Sequence, residues 1–275
     1  MRIISSGKVL NSREFYQKKT RKRRIQLIFL LIGFLSILSA FIYFSRQEQF
    51  LITEVEVQGE NIVDKEEMAQ TARHLLSGYF FWVIPRANTF LYPRRSIKNS
   101  LINEFPRLKS VDLNLSERQK LIITIEERVP FALYCADTLN SKCFFLDEEG
   151  FIFASAPSFS SGVYFVYITK DTIENPIGKR LVTIEEFNVL SKFIKNLLAL
   201  NIQSLELEVD DDEYSLYLLN NGKIIWRKNS DLTLIYSNLE AFLSDKTIQA
   251  QSDFFDRILY LDLRIENKVF YKFKE

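Results

Sequence analysis

The chain has 275 residues, 36 of them basic and 35 acidic, with abundant Phe and Tyr and only eight glycines and six prolines. This composition excludes a disordered, collagen-like or linker chain and leaves room for more than one folded domain. The charge is unevenly distributed: nine basic residues and one acidic residue precede residue 25, and 27 basic and 34 acidic residues follow it. Residues 1–24 are therefore predicted to be a basic tail beside a membrane, and not a nucleic-acid-binding arm.

Residues 25–44 form a run without any charged residue. As a helix the run would be roughly 30 Å long, which is the thickness of the hydrocarbon core of a bilayer, so it predicts one transmembrane helix. A buried core helix would show a polar face, and a cleaved signal peptide would be shorter and followed by a small-residue cleavage site. Because basic flanks stay in the cytoplasm, we expect the N-terminus inside and everything after Phe44 outside the plasma (inner) membrane.

The region 50–128 is predicted to be a small α+β domain with the order β-α-α-β-β. Asp64 followed by Glu67 has the spacing of a helix N-cap with a capping box, and Gly78 is placed to end that helix. Alternating apolar residues indicate the strands. The predicted elements are a strand at 51–57, helices at 64–76 and 94–104, and strands at 108–115 and 120–128.

The region 129–275 is predicted to be a second domain, a mixed sheet with two helices. Short strands with turn residues between them dominate, and Phe187, Leu190 and Phe193 repeat at helical spacing. The predicted strands are 131–135, 143–146, 151–154, 163–169, 204–209, 214–219, 223–227, 258–264 and 268–273, and the predicted helices are 183–200 and 232–243.

Three features allow more than one interpretation. Cys135 and Cys143 bracket a short polar loop in the part expected outside the plasma (inner) membrane, so a disulfide that closes a hairpin is the preferred interpretation and free thiols are the alternative. The cluster Tyr79–Trp82 is expected to fill the core of its own domain, although an exposed partner patch or a membrane-interface contact would also use aromatic residues. Arg128, beside Glu126 and Glu127, could mark a functional surface or form a structural ion pair between the two domains.

The sequence predicts no catalytic, cofactor or metal site. His74 is the one histidine, and it falls on a predicted helix next to Arg73 without a G-x-S-x-G sequence elsewhere. The acidic run Asp210–Glu213 is interpreted as a turn between strands. We therefore expect a protein that is not an enzyme, with a membrane-anchored hydrolase as the competing class.

Several short motifs occur in a fixed order behind the apolar run, and together they resemble the FtsQ/DivIB family of bacterial division proteins. The Glu127-Arg128-Val129-Pro130 sequence is the most specific of them. The others are Val55–Gly59, Phe105-Pro106, Phe145–Phe153, Asn221–Lys223, Asn238-Leu239, Leu261–Arg264 and Lys268–Lys272. The resemblance covers nearly the whole chain.

The resemblance implies a tail and one span, then a POTRA domain at 50–128 and an FtsQ-like β domain at 129–275. It implies a non-enzymatic scaffold at the division site that binds FtsB-like and FtsL-like bitopic coiled-coil proteins. Other division proteins would bind through the POTRA domain. A POTRA-like binding or assembly module unrelated to division is the alternative function.

By the same resemblance, the partner contact falls on the last strands, at Arg264, Ile265, Lys268 and Phe270. Ile265 departs from the family pattern, in which an aromatic residue is frequent at that position. A C-terminal strand with a free edge can also add a partner's strand through backbone hydrogen bonds, whatever the family. The alternative is that Leu261, Leu263 and Ile265 face the core while Arg264 is solvated.

Overall fold

The computed structural model describes residues 13–59, 62–136, 142–158, 162–249 and 254–274. The chain is a mixed α+β protein with a long N-terminal apolar helix and a large mixed sheet. Contacts divide it into two compact units, Met1–Ser100 with Asp112–Thr124, and Leu101–Val111 with Ile125–Glu275. The domain boundary expected after residue 128 stays a prediction.

The first helix, α1, runs from Arg13 to Ser45 and includes the whole predicted apolar run. Between Gln17 and Ser45 it is long and apolar enough to cross a membrane, and the rest of the protein buries none of its most apolar stretch. The interpretation as a core helix would require burial, so that alternative is wrong. A helix that is apolar on all sides and unburied is typical of a segment surrounded by lipid.

The helices and strands that follow α1 begin and end close to the predicted positions. Asp64 caps α2 by accepting hydrogen bonds from the backbone N–H groups of Glu66 and Glu67. The three-stranded sheet has the order β1-β5-β4, with β1 parallel to β5. The elements are β1 (Glu54–Gln58), α2 (Lys65–Leu76), β2 (Tyr79–Phe80), β3 (Ile84–Pro85), α3 (Arg94–Glu104), β4 (Leu108–Ser116) and β5 (Lys120–Glu127).

The expectation that the Tyr79–Trp82 cluster fills a core is wrong for Tyr79, Phe81 and Trp82, which are exposed. β2 and β3 pair as a short antiparallel ribbon that the sequence did not predict. Phe81 and Trp82 form its turn, and their side chains are 91% and 92% exposed. In β4 the alternation of buried apolar residues stops before the end of the strand, because Val111 and Leu113 are buried while Leu115 is exposed.

The second unit contains a nine-stranded mixed sheet with the order β14-β13-β12-β11-β10-β9-β6-β7-β8. Its strands are β6 (Ala132–Cys135), β7 (Cys143–Leu146), β8 (Ile152–Ser155), β9 (Val166–Thr169), β10 (Ser204–Val209), β11 (Glu213–Leu218), β12 (Lys223–Arg227), β13 (Ile258–Asp262) and β14 (Phe270–Phe273). Its helices are α4 (Ile184–Leu197), α5 (Leu232–Leu243), α6 (Lys246–Gln249) and α7 (Phe254–Arg257). The short helices α6 and α7 were not predicted.

The main core lies between one face of the large sheet and the helices. Phe187, Leu190 and Phe193 of α4 pack there. They share this core with Trp226 of β12 and Leu261 of β13. On the opposite face, Leu133 and Ile168 form a small separate cluster with Cys135. Cys135 and Cys143 are opposite each other in β6 and β7 and are joined by a disulfide. Most of the polar loop between them, 137–141, lies outside the described residues.

Arg128 forms a structural ion pair, and its partner is Asp147, not the neighbouring glutamates. The Arg128 guanidinium donates a hydrogen bond to Asp147, and both side chains are almost completely buried. Asp147 also accepts hydrogen bonds from the backbone N–H groups of Glu149 and Phe151, each at 2.9 Å, and so holds the β7–β8 turn. The guanidinium carbon of Arg128 lies 4.1 Å from the centre of the Phe151 ring. The pair thus fixes the chain just after β5 to the turn at 147–151, and both residues belong to the second unit.

We predict that Arg128→Ala destabilises the second unit by roughly 3 kcal/mol, because it leaves the Asp147 carboxylate buried without its cation. Urea unfolding followed by the emission of Trp226, which is fully buried in this unit, measures the loss. Lys109→Ala removes the exposed Lys109–Glu148 pair and is the matched control, for which the unfolding midpoint should hardly change. Equal midpoints for the two variants would contradict the structural role of Arg128.

Candidate protein-interaction site

β14 is an edge strand of the large sheet. It pairs antiparallel with β13, with Leu261 opposite Tyr271 and Asp262 opposite Phe270. Within the described residues, no strand pairs with its other side. The outer N–H and C=O groups of such a strand are a template on which a second chain can add a strand. The free C-terminal edge expected from the sequence is therefore present.

An aromatic cluster under the sheet holds β14 in place. Tyr271 packs against Phe242 of α5 with ring centres 5.4 Å apart, and Phe273 packs against Phe254 of α7 at 5.6 Å. Both contacts have the tilted or edge-on geometry that aromatic pairs favour. The cation of Arg257 lies 4.9 Å from the centre of the Phe273 ring. One face of β14 is thus fixed to the helices, so that its outer edge is a rigid surface.

The other face of β14 points away from the helices, because successive strand residues face opposite sides of a sheet. Phe270 lies on this face, directly opposite Asp262, and is 47% exposed. Lys272 follows on the same face and is also exposed. Lys268 lies in the loop before β14 and is exposed. Two of the four predicted contact residues, Lys268 and Phe270, are therefore accessible at the edge.

Arg264 is held in a network of ion pairs next to this edge. Its Nε and Nη2 donate to the two carboxylate oxygens of Asp262 at 2.9 and 2.6 Å, and its Nη1 donates to Glu213 at 3.0 Å. The hydrogen bond from Arg264 holds the pKa of Asp262 below its usual range. The hydrogen bonds from both carboxylates raise the pKa of Arg264 in turn. Arg264 is therefore neither simply solvated nor free, and it fixes the chain that leaves β13.

Ile265 extends from this fixed position into solvent. Its side chain is 50% exposed, so the alternative in which it faces the core is wrong, although Leu261 and Leu263 are indeed buried. Ile265 lines two neighbouring grooves of about 420 and 690 Å³. Leu234 and Ser230 contribute to the first groove, and the Arg264 network forms a wall of the second. An exposed apolar side chain beside grooves is a suitable contact for a partner's side chains.

The structure thus brings all four predicted contact residues into the β13–β14 hairpin and its loop. It also adds two that the sequence analysis missed, Asp262 and Glu213. Asp262 could have been found, because it is two residues from Arg264, on the same side of an extended chain. Glu213 is 51 residues away in sequence and lies in the acidic run that was interpreted as a turn, so nothing local indicated it.

His74 and the acidic run Asp210–Glu213 are the groups considered above for catalysis and cation binding. Within the described part of the chain, no cluster of three or more His, Cys, Asp or Glu residues has the geometry to hold a metal ion. His74 is exposed in the last turn of α2. In the acidic run, the carboxylate of Asp210 is paired with Lys170 at 2.9 Å.

Comparison of the chain with models of known protein families finds no match, and comparison with curated proteins finds none either.

The ion pair of Arg264 predicts a defined pH dependence of stability. Folding lowers the pKa of the Asp262 carboxyl. The ionised carboxylate therefore stabilises the folded protein at pH values above the ordinary pKa of 3.8, and this stabilisation is lost as the pH falls below that value. Arg264→Gln should therefore cost no more than about 1 kcal/mol at pH 6, since the pair is partly exposed. The difference in the free energy of unfolding between the variant and the original protein should shrink below pH 3.8. A difference that stays constant down to pH 3 would exclude this ion pair as its source.

Proposed function

We propose that the protein is a non-enzymatic scaffold of the bacterial division machinery. It is anchored by α1 in the plasma (inner) membrane and binds other membrane proteins through its extracytoplasmic part. The observation that carries the proposal is the outer edge of β14, with exposed Phe270 and Ile265 beside it. The order of the sequence motifs, which resembles the FtsQ/DivIB family, supplies the division role.

The topology follows from the flanks of α1. The most apolar stretch of α1 is unburied. Nine basic residues and one acidic residue precede the uncharged run 25–44, whereas Arg46 and Glu48 just after it cancel each other in charge. In the proposed orientation the N-terminus is cytoplasmic and the chain after Phe44 is extracytoplasmic, because basic flanks resist translocation. This orientation also places Cys135 and Cys143 where a disulfide is stable.

In the proposed domain arrangement, residues 50–128 are a POTRA domain and residues 129–275 an FtsQ-like β domain. Support comes from the element order, in which β1, α2, α3, β4 and β5 follow one another with the β2–β3 ribbon inserted. The parallel pairing of β1 with β5 brings the first and last strands of this region side by side. Recruitment to the division site is proposed for this region.

The proposed partners are FtsB-like and FtsL-like bitopic coiled-coil proteins, which bind by adding a segment to β14. Backbone hydrogen bonds along β14 supply affinity, and Phe270 and Ile265 supply apolar contacts. Arg264 acts as a positioning residue, because its hydrogen-bonding groups already contact Asp262 and Glu213. Since these partners are anchored in the same membrane, their effective concentration near β14 is high and a modest intrinsic affinity suffices.

The division role predicts a band at midcell before constriction begins, when the full chain carries an N-terminal fluorescent protein and is expressed at its native level. A variant without α1 should lose this band, because it would no longer be held beside its membrane partners. Uniform fluorescence around the envelope would contradict the division role. The alternative function, a membrane-anchored POTRA-like binding module unrelated to division, would then be favoured.

A matched pair of substitutions tests the binding edge separately. Ile265→Glu combined with Phe270→Glu should abolish copurification of the coiled-coil partners, because charges replace the exposed apolar contacts. Val189→Glu is the control, since Val189 is equally exposed but lies on α4. Equal recovery of partners with both variants would mean that the β14 edge is not the binding site.

A further inference from the structure

The turn of the β2–β3 ribbon exposes two large aromatic residues in an unusual backbone conformation. Phe81 and Trp82 have positive φ angles of 45° and 66°, and the N–H of Val83 donates to the carbonyl of Phe80 at 3.0 Å. A tight turn with both central residues at positive φ normally contains Asn and Gly, because bulky side chains are strained there. Strain of this kind at a surface is typical of a functional contact.

The ribbon is attached directly to the C-terminal end of α1. Nε of Arg46, the first residue after the helix, donates to the carbonyl of Val83 at 2.9 Å. The buried side chain of Asn88, just after the ribbon, donates to the carbonyl of Ser45 at 3.0 Å. Trp82 directly precedes Val83, the residue that is hydrogen-bonded to Arg46. The ribbon and α1 belong to the same compact unit.

Other aromatic and basic residues surround the same helix end. Tyr43 and Phe44 are exposed in the last turn of α1, and Phe90, two residues after Asn88, is also exposed. Phe90 packs against Phe50 with ring centres 5.8 Å apart. Arg46 and Arg86 stack against rings of the ribbon, Tyr79 and Phe80. Aromatic and basic residues are common at the ends of transmembrane helices, where the protein contacts the lipid headgroups.

We propose that the Phe81–Trp82 turn inserts into the outer-leaflet interface of the membrane that α1 crosses. The inference rests on the membrane anchor proposed above. Lipid is the expected occupant because the turn is hydrogen-bonded to the residue that follows α1, and because tryptophan favours the headgroup boundary. The turn and α1 together give the first unit two attachments to the membrane. Rotation of this unit about the axis of α1 is thereby restricted.

Brominated lipids test this proposal on the full chain in vesicles. Bromine quenches tryptophan at close range, so phosphatidylcholine brominated near the headgroup should quench Trp82 more than lipid brominated near the chain ends. The chain contains two tryptophans, and Trp226 is completely buried in the second unit. Trp82→Phe, which retains Trp226 alone, is the control and should show no quenching by bromine.

The possible outcomes separate this inference from the anchor. Loss of Trp82 emission with headgroup-proximal bromine, in protein that floats with the vesicles, supports the lipid contact. Quenching of Trp82 by aqueous iodide but not by bromine, in protein that floats, overturns it and leaves a protein partner for the patch. Protein that does not float with the vesicles overturns the anchor and this inference together.

Discussion

An open sheet has two edge strands, and the outer backbone N–H and C=O groups of an edge strand can pair with a strand from another chain. In this protein the last strand, β14, occupies one of those positions. Its inner face is packed under α5 and α7 by Tyr271 and Phe273, so the strand does not depend on a partner for its position. The same packing leaves Phe270 and the edge itself accessible. A rigid strand of this kind binds a partner segment with little ordering of its own, which favours affinity.

The elements of the fold follow from the sequence because they depend on local patterns. Apolar residues at every second position indicated β4 and β5, and apolar residues at helical spacing indicated α4. The order of the nine strands was not predictable, because β9 pairs in parallel with both β6 and β10, and such pairings join segments that are distant in sequence. The helices α6 and α7 span four residues each, too short for a helical repeat to be recognised.

The candidate site was predictable to the extent that it is local. Arg264, Ile265, Lys268 and Phe270 lie on one hairpin, so a motif placed them together. The role of Arg264 depends on Glu213 from a different hairpin and could not be deduced from its neighbours. The Phe81–Trp82 turn shows the opposite case, since hydrophobicity alone favoured a core position. Its exposure depends on the ribbon geometry and on the hydrogen bond from Arg46 to Val83.

The most direct test of the account is photo-cross-linking at β14 in living cells. A photoreactive phenylalanine analogue replaces Phe270 in the full chain, and mass spectrometry identifies the adducts. The account predicts adducts with small single-span coiled-coil proteins, and none when the analogue replaces the exposed Val189 on α4. Absence of adducts at position 270, or the same adducts from both positions, would contradict the assignment of β14 as the binding edge.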